Sequence, residues 1–436
     1  MKQERSLVKS IVSVFYTKVF ILFLSLLCIV LLAKSLGAEG RGLLAVLLVY
    51  PQLMISLTEG GMRQATTIFI GRKEVDEVHI FGALLTYIAI AGVFGYGLIF
   101  SILILFGSEQ FDLIMIAVAA AMIPTSLVVS CIQGVFLGSY KILEFNKILW
   151  KQKLMYFLLL LALYLIELLN VTSAVIVTFI ATLYNAIQAS RYLKKTTDFR
   201  AKFDYSTLIE MLKLGVVYAV ALFLIQVNYK IDLILLEKLA SNKILGNYAV
   251  SVQVGEVLWQ LPAAVMIVLI SKTATSTESA LNDLTATICQ ISRYTIAITM
   301  LSAMFLLTFT YYAIPLFLGS EFANVFGILL ALAPGLIFAT VFKTINSFYA
   351  GKGLPHYAIY IMLPTVLLNV VFNFLLIPRY GGIGAALASS ISYFSSAVIT
   401  LLFFTNQQKV SISSVIMMNK NDVKQAVNKI KSIRVR

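Results

Sequence analysis

Apolar residues in this chain fall into repeated runs of eighteen or more, separated by short polar connections. A helix needs about 20 such residues to cross the hydrocarbon of a bilayer. The pattern therefore predicts spans over 11–33, 43–63, 81–106, 111–136, 153–169, 171–190, 212–236, 246–270, 291–312, 322–343, 355–377 and 383–404. The connections 107–110 and 169–171 are tight enough to make neighbouring helices antiparallel hairpins. One span stands apart: Leu212–Glu237 carries Gln226, Asn228, Lys230 and Asp232 in its second half. Polar groups at that depth are costly unless they face a protein partner or a wet cavity. This helix opens the second half of an all-α integral membrane protein of about twelve transmembrane helices. The expected division is a six-helix bundle over 1–202, a second over 203–408 and a basic tail over 409–436.

Composition agrees with the pattern. Of the 436 residues, 12% are charged and 60% hydrophobic, against roughly 25% charged in soluble proteins. Cys28, Cys131 and Cys289 lie in or beside apolar spans and read as small buried hydrophobes. A net charge of +14 brings nucleic acid to mind, but the basic residues alternate with the spans and form no single face. Most lie in one set of connections and at the two ends of the chain, while the opposite connections hold Lys34, Arg41, Lys238, Lys243 and Arg379. The positive-inside rule then puts both termini on the cytoplasmic side. The short basic segment Met1–Ser10 leads into an uncleaved first helix, because a convincing small-residue cleavage site is lacking. In the tail, Ile416, Val423, Val427 and Ile430 among lysines allow either an amphipathic helix on anionic lipids or a solvated segment.

The halves carry a weak internal repeat. Leu36-Gly37-Ala38-Glu39-Gly40-Arg41-Gly42-Leu43-Leu44-Ala45-Val46 resembles Leu239-Ala240-Ser241-Asn242-Lys243-Ile244-Leu245-Gly246-Asn247-Tyr248-Ala249-Val250, matching Gly42 with Gly246. Glycine at such a reversal permits positive backbone torsions or close helix approach. Repeats of this kind are found in transporters.

Late in the chain, Gly351-Lys352-Gly353 leads into a helix. It is followed by Asn369-Val370-Val371-Phe372-Asn373-Phe374-Leu375-Leu376-Ile377-Pro378-Arg379-Tyr380-Gly381-Gly382-Ile383-Gly384-Ala385-Ala386-Leu387-Ala388. With Ile231-Asp232 and Gly246-Asn247-Tyr248, this segment resembles the polysaccharide-exporting, Wzx-like branch of the MATE-like (MOP) superfamily. The resemblance implies a MATE-like pair of pseudo-symmetric bundles around a central cavity. It also implies a flippase for undecaprenyl-diphosphate-linked oligosaccharide repeat units, used in surface polysaccharide biosynthesis. Partners would be the lipid-linked oligosaccharide, anionic lipids and polysaccharide-assembly proteins, with the monomer as working unit. Read physically, Pro378 stops a helix, and Gly384, Ala385, Ala386 and Ala388 permit close packing.

The residues that could carry transport follow from charge at depth. Lys18 in the first span either faces the polar interior or snorkels to headgroups. Lys230 and Asp232, two apart, do not share a helix face, so each needs its own partner. Glu256 is one candidate, and Gln226 and Asn228 could add hydrogen bonds. Glu59 and Arg63 form an i,i+4 pair at the end of the second span, stabilising or gating. Arg293, with Lys343, Asn346 and Lys352, could line a positive vestibule for a diphosphate, although Lys343 and Lys352 also read as ordinary positive-inside residues. His79 and His356 have no companion ligands, so neither a metal nor a cofactor is expected. The driving force is open between membrane potential, a counter-transported H+ or Na+, and removal of product outside. Two rivals remain: a cation-coupled multidrug exporter, which would favour an acidic cavity, and a membrane glycan polymerase or ligase, which would want a large outer loop. Every outer connection is short, so no enzyme is expected.

Overall fold

The computed structural model describes residues 2–73, 75–139, 141–260, 278–419, 422 and 424, with backbone only for 2–15, 142 and 278–284. Its helices are α1 (Lys2–Thr58), α2 (Met62–Arg72), α3 (Glu77–Phe106), α4 (Leu113–Gly138), α5 (Ile142–Leu165), α6 (Val171–Thr196), α7 (Tyr205–Leu239) and α8 (Asn242–Gly255). A 3-10 turn over Glu256–Trp259 follows, then α9 (Glu278–Leu318), α10 (Asn324–Gly351), α11 (His356–Gln408) and the short α12 (Ile412–Ile416). Starts are set locally: the side chains of Asp76, Asp112, Asn170 and Asp204 each accept a backbone N–H from the first turn that follows. Hydrogen bonds from Thr207 and Ser206 hold the Asp204 carboxyl well below the usual carboxylate range.

Among the described residues, nine helical stretches are long and apolar enough to cross a membrane. Two of them are folded. In α1, Gly37 takes φ 61°, and residues from both arms, Ile21 and Gln52 among them, line one cavity. A straight helix would hold those two roughly 46 Å apart, so the chain turns back at Gly37. In α11 the same happens at Gly381, φ 56°, which lets Asn373 and Ser389 reach one carboxylate. Glycine makes both reversals possible because positive φ is strained for other residues. The chain is an all-α, multi-pass membrane protein.

Three expected boundaries change. The second span, 43–63, ends at Thr58: Gly60 and Gly61 both have positive φ, and α2 continues in a new direction to Arg72. The eighth, 246–270, loses regular α geometry at Glu256, and its remainder falls within 261–277, outside the described residues. Pro378 lies within α11, and the reversal comes three residues later at Gly381, the first position whose torsions allow it.

The repeated turns at Gly42 and Gly246 touch. A Cβ on Gly246 would collide with the Ala38 carbonyl oxygen, and one on Gly42 with that of Asn242. Near the other end of α7, Gly61 and Gly215 meet backbone to backbone in the same way. Between these two glycine contacts the chain leaves space.

Candidate functional site

That space is a cavity of about 250 Å³ walled by both arms of α1, by α5, by α7 and by α8 with the turn that follows it. Its polar lining comprises Ser25, Arg41, Gln52, Lys153, Tyr156, Lys230, Gln253, Glu256 and Gln260. Three cations thus face one carboxylate. Lys230 pairs with Glu256 at 2.9 Å. Arg41, 2% exposed, donates from Nη2 to the Gln253 amide oxygen at 2.7 Å, while its Nε has no hydrogen-bond partner among the described residues. Lys153 lies 5.1 Å over the Tyr156 ring, one helical turn away. A buried guanidinium whose neighbour is a neutral amide retains an unmet demand for anionic oxygen. The wall is therefore suited to an anion with several oxygens.

Behind α7 lies a second polar site, closed to solvent. Asp232 is 1% exposed and accepts hydrogen bonds from Tyr248 Oη at 2.5 Å, Asn373 Nδ2 at 2.9 Å and Ser389 Oγ. The network runs on from Asn373 to Asn369, and from Asn369 Nδ2 to the Asn228 carbonyl at 3.0 Å. Asn228 Nδ2 donates to Ser392 Oγ at 2.8 Å, which donates to the Thr365 carbonyl at 3.0 Å. Every partner is neutral, so a charge on Asp232 has no cation to balance it among the described residues. A buried carboxylate with no counter-charge is costly to hold in its charged form.

A wall of aromatic rings stands between the two sites. Tyr229, Trp259 and Tyr393 pack with centroids 4.9, 5.6 and 5.9 Å apart. Lys343 Nζ sits 3.8 Å from the Trp259 centroid and 4.5 Å from that of Tyr229.

The polysaccharide biosynthesis protein family model matches residues 7–271. The chain belongs to that family. An uncharacterized membrane protein of Methanocaldococcus jannaschii is 24% identical over 393 residues, 85% of this chain and 92% of that one. A probable multidrug resistance protein NorM of Streptococcus pneumoniae is 32% identical over 105 residues, 22% of this chain and 23% of that one. Among solved structures, an inward-facing multidrug resistance MATE family transporter superposes with TM-score 0.73 at 14% identity, covering 92% of this chain and 98% of its own. The lipid II flippase MurJ, inward closed, gives 0.66 at 16% identity, covering 94% and 89%. At these identities the likeness establishes a MATE-like fold.

Within this family member, the residues picked out from sequence separate. Lys230 and Glu256 meet on the cavity wall, while Asn228 and Asp232 join the closed network. Gln226 is half-buried and lines neither site. Lys18 is half-buried and does not line the cavity. Glu59 and Arg63 do pair, at 3.1 Å, but they straddle the Gly60–Gly61 break and are not at the end of a continuous helix. Arg293 is not an open vestibule charge. Asp422 holds it through Nε–Oδ2 at 2.7 Å and Nη2–Oδ1 at 2.8 Å, and the Ser414 carbonyl accepts from Nη1. In turn, Arg293 holds the Asp422 carboxyl down at about 2. Asp422 is 2% exposed, so this part of the tail packs on α9 and is neither solvated nor spread on lipid; Val423, Val427 and Ile430 lie outside the described residues.

Sequence reasoning missed Arg41 and Lys153, which it counts among the charges that set topology. Lys343, expected in a positive vestibule or as an ordinary positive-inside residue, sits instead against Trp259 and Tyr229. Arg41 did carry a signal, standing between Gly40 and Gly42 inside the repeated turn.

Proposed function

We propose that this chain is a transporter that moves the anionic headgroup of a lipid-linked glycan across the cytoplasmic membrane by alternating access. The supporting observation is the cavity wall, where Arg41, Lys153 and Lys230 outnumber Glu256. Arginine and lysine supply positive charge and multiple donors to diphosphate oxygens. The prenyl chain stays in lipid while the headgroup enters the cavity. Two six-helix bundles, 1–202 and 203–408, rock about their junction, with twelve crossings and both termini cytoplasmic. Asp232, enclosed by neutral donors, is the position at which a counter-transported H+ or Na+ supplies the driving force.

Export of drugs is the second reading, favoured by the 105-residue match to NorM and by the multidrug MATE superposition. A cationic drug calls for acidic groups on the cavity wall. Among the described residues Glu256 is the one carboxylate lining it, and it is already paired with Lys230.

Proteoliposomes of verified orientation separate the readings. Flux of a prenyl-diphosphate oligosaccharide, read by a leaflet-specific probe, should saturate and should be inhibited by inorganic pyrophosphate. Flux of cationic dyes with no glycan-lipid flux would establish drug export instead.

A further inference from the structure

The 3-10 turn Glu256–Trp259 interrupts the helix at the cavity wall, and its two ends serve different sites. Glu256 reaches into the cavity and holds Lys230 at 2.9 Å. Trp259, three residues on, forms the face of the cage under Lys343 and is anchored by its indole N–H to the Leu336 carbonyl at 3.1 Å. Tightened turns inside a helix are frequent at functional hinges. Lys343 has no hydrogen bond or ion pair among the described residues and rests against the faces of two rings. Ring faces attract an ammonium through their quadrupole but bring no counter-charge to it. The Tyr229 hydroxyl, in the same cage, is buried without an acceptor among the described residues. Glu256 lies within electrostatic reach of both Lys343 and Tyr229. The cage thus holds a cation and a hydroxyl donor, and the carboxylate they lack is one short helical turn away, engaged elsewhere.

We infer that Glu256 is an exchangeable plug: an anion entering the cavity displaces it from Lys230, and the freed carboxylate is received by Lys343 and the Tyr229 hydroxyl. This rests on the anionic-headgroup reading and assigns that site its means of sensing occupancy. With the cavity empty, Glu256 neutralises Lys230 and limits self-repulsion among the three cavity cations. With an anion bound, Lys230 changes partner, the cavity gains one net positive charge as Glu256 leaves, and the 3-10 turn swings toward α10. Lys343 touches no substrate and acts through Glu256, so it is a positioning residue. The exchange links headgroup capture to movement of α8 against α10, the step a rocking bundle needs.

Trp150 and Trp259 are the two tryptophans, so Trp150→Phe leaves Trp259 as the sole reporter. In lipid nanodiscs, inorganic pyrophosphate should shift Trp259 emission with the half-saturation found by calorimetry. Glu256→Gln should bind pyrophosphate more tightly, by roughly threefold to tenfold since its competitor is gone, yet give no emission shift. In proteoliposomes, Lys343→Gln should lower maximal flux at unchanged half-saturation, and Lys343→Arg should restore a substantial part. Pyrophosphate that binds without moving Trp259 emission, or that moves it equally in Glu256→Gln, overturns the exchange and leaves the transport reading standing. Absence of calorimetric binding overturns both.

Discussion

Lys230 and Asp232 are two residues apart on α7, yet their surroundings are opposites. The helical step sends them roughly 200° apart, so Lys230 joins a cavity rich in cations while Asp232 is enclosed by hydroxyls and amides. At the first site Glu256 holds Lys230, and Arg41 Nε has no hydrogen-bond partner among the described residues. At the second, Tyr248, Asn373 and Ser389 all donate to Asp232, and the residues of the network are buried. One helix therefore carries a cation-rich cavity wall on one face and an enclosed carboxyl on the other, so any axial or rotational shift of α7 would be felt at both.

The severest way to break this comparison is to remove the enclosed carboxylate. Asp232→Ala strands Tyr248, Asn373 and Ser389, and each buried unsatisfied group costs about 1–3 kcal/mol. Transport should fall by about a hundredfold or more and the thermal midpoint by several degrees, whereas Asp232→Asn should keep the midpoint but lose dependence on the ion gradient. Wild-type gradient dependence in the Asn variant would remove Asp232 from coupling.

On the cavity face the effect should be one of capture. Arg41→Gln removes a charge-assisted contact of about 1.5–3 kcal/mol and should raise half-saturation by about tenfold or more while maximal flux changes little. Lys153→Gln, with a less committed ammonium, should raise it by about threefold to tenfold. Raising salt should shrink the Lys153 effect more than the Arg41 effect, because screening acts mainly on charges in contact with solvent. Equal half-saturation in wild type and the Arg41 variant would dissociate the cavity from substrate binding.

Outside both faces, the Arg293–Asp422 clamp offers a control with its own pH signature. The Asp422 carboxyl is held below its unfolded value, so its contribution is present above about pH 4 and is lost as pH falls towards about 2. Asp422→Asn should lower the thermal midpoint at pH 7, and the difference from wild type should close with acid; a difference constant from pH 7 to 3 would contradict the assignment. Smallest of all, Glu59→Gln removes a half-buried i,i+4 pair and should change stability by no more than about 1 kcal/mol with flux unaltered.

The multi-pass α-fold was legible because crossing a bilayer imposes a length and a composition that few other constraints resemble. The charged seventh helix was legible too, and so was the separation of Lys230 from Asp232, which needs helical geometry alone. Asn369 and Asn373 were visible as an asparagine pair four residues apart, but nothing in a linear pattern says that a helix folded at Gly381 brings them to Asp232. Arg41 and Lys153 were misassigned for a related reason. A basic residue at the edge of a span looks the same whether it snorkels to headgroups or turns inward, and the choice depends on neighbours far along the chain, such as Gln253 for Arg41. The Arg293 clamp depends on Asp422, a partner 129 residues away in a tail whose composition points to lipid or water.

The contact between Gly42 and Gly246 has a mechanical consequence. With two backbones pressed together and no side chain between them, the joint resists compression but has little that interlocks to resist tilting. It is a fulcrum. A helix pivoting by about 10° there would carry its far end, about 30 Å away, through roughly 5 Å, wide enough to admit or shut out a sugar ring. A single methyl at Gly246 would act as a wedge in that joint, prising it open at the end where it must stay closed, so its harm should fall on the throw of the lever before it falls on the strength of the fold.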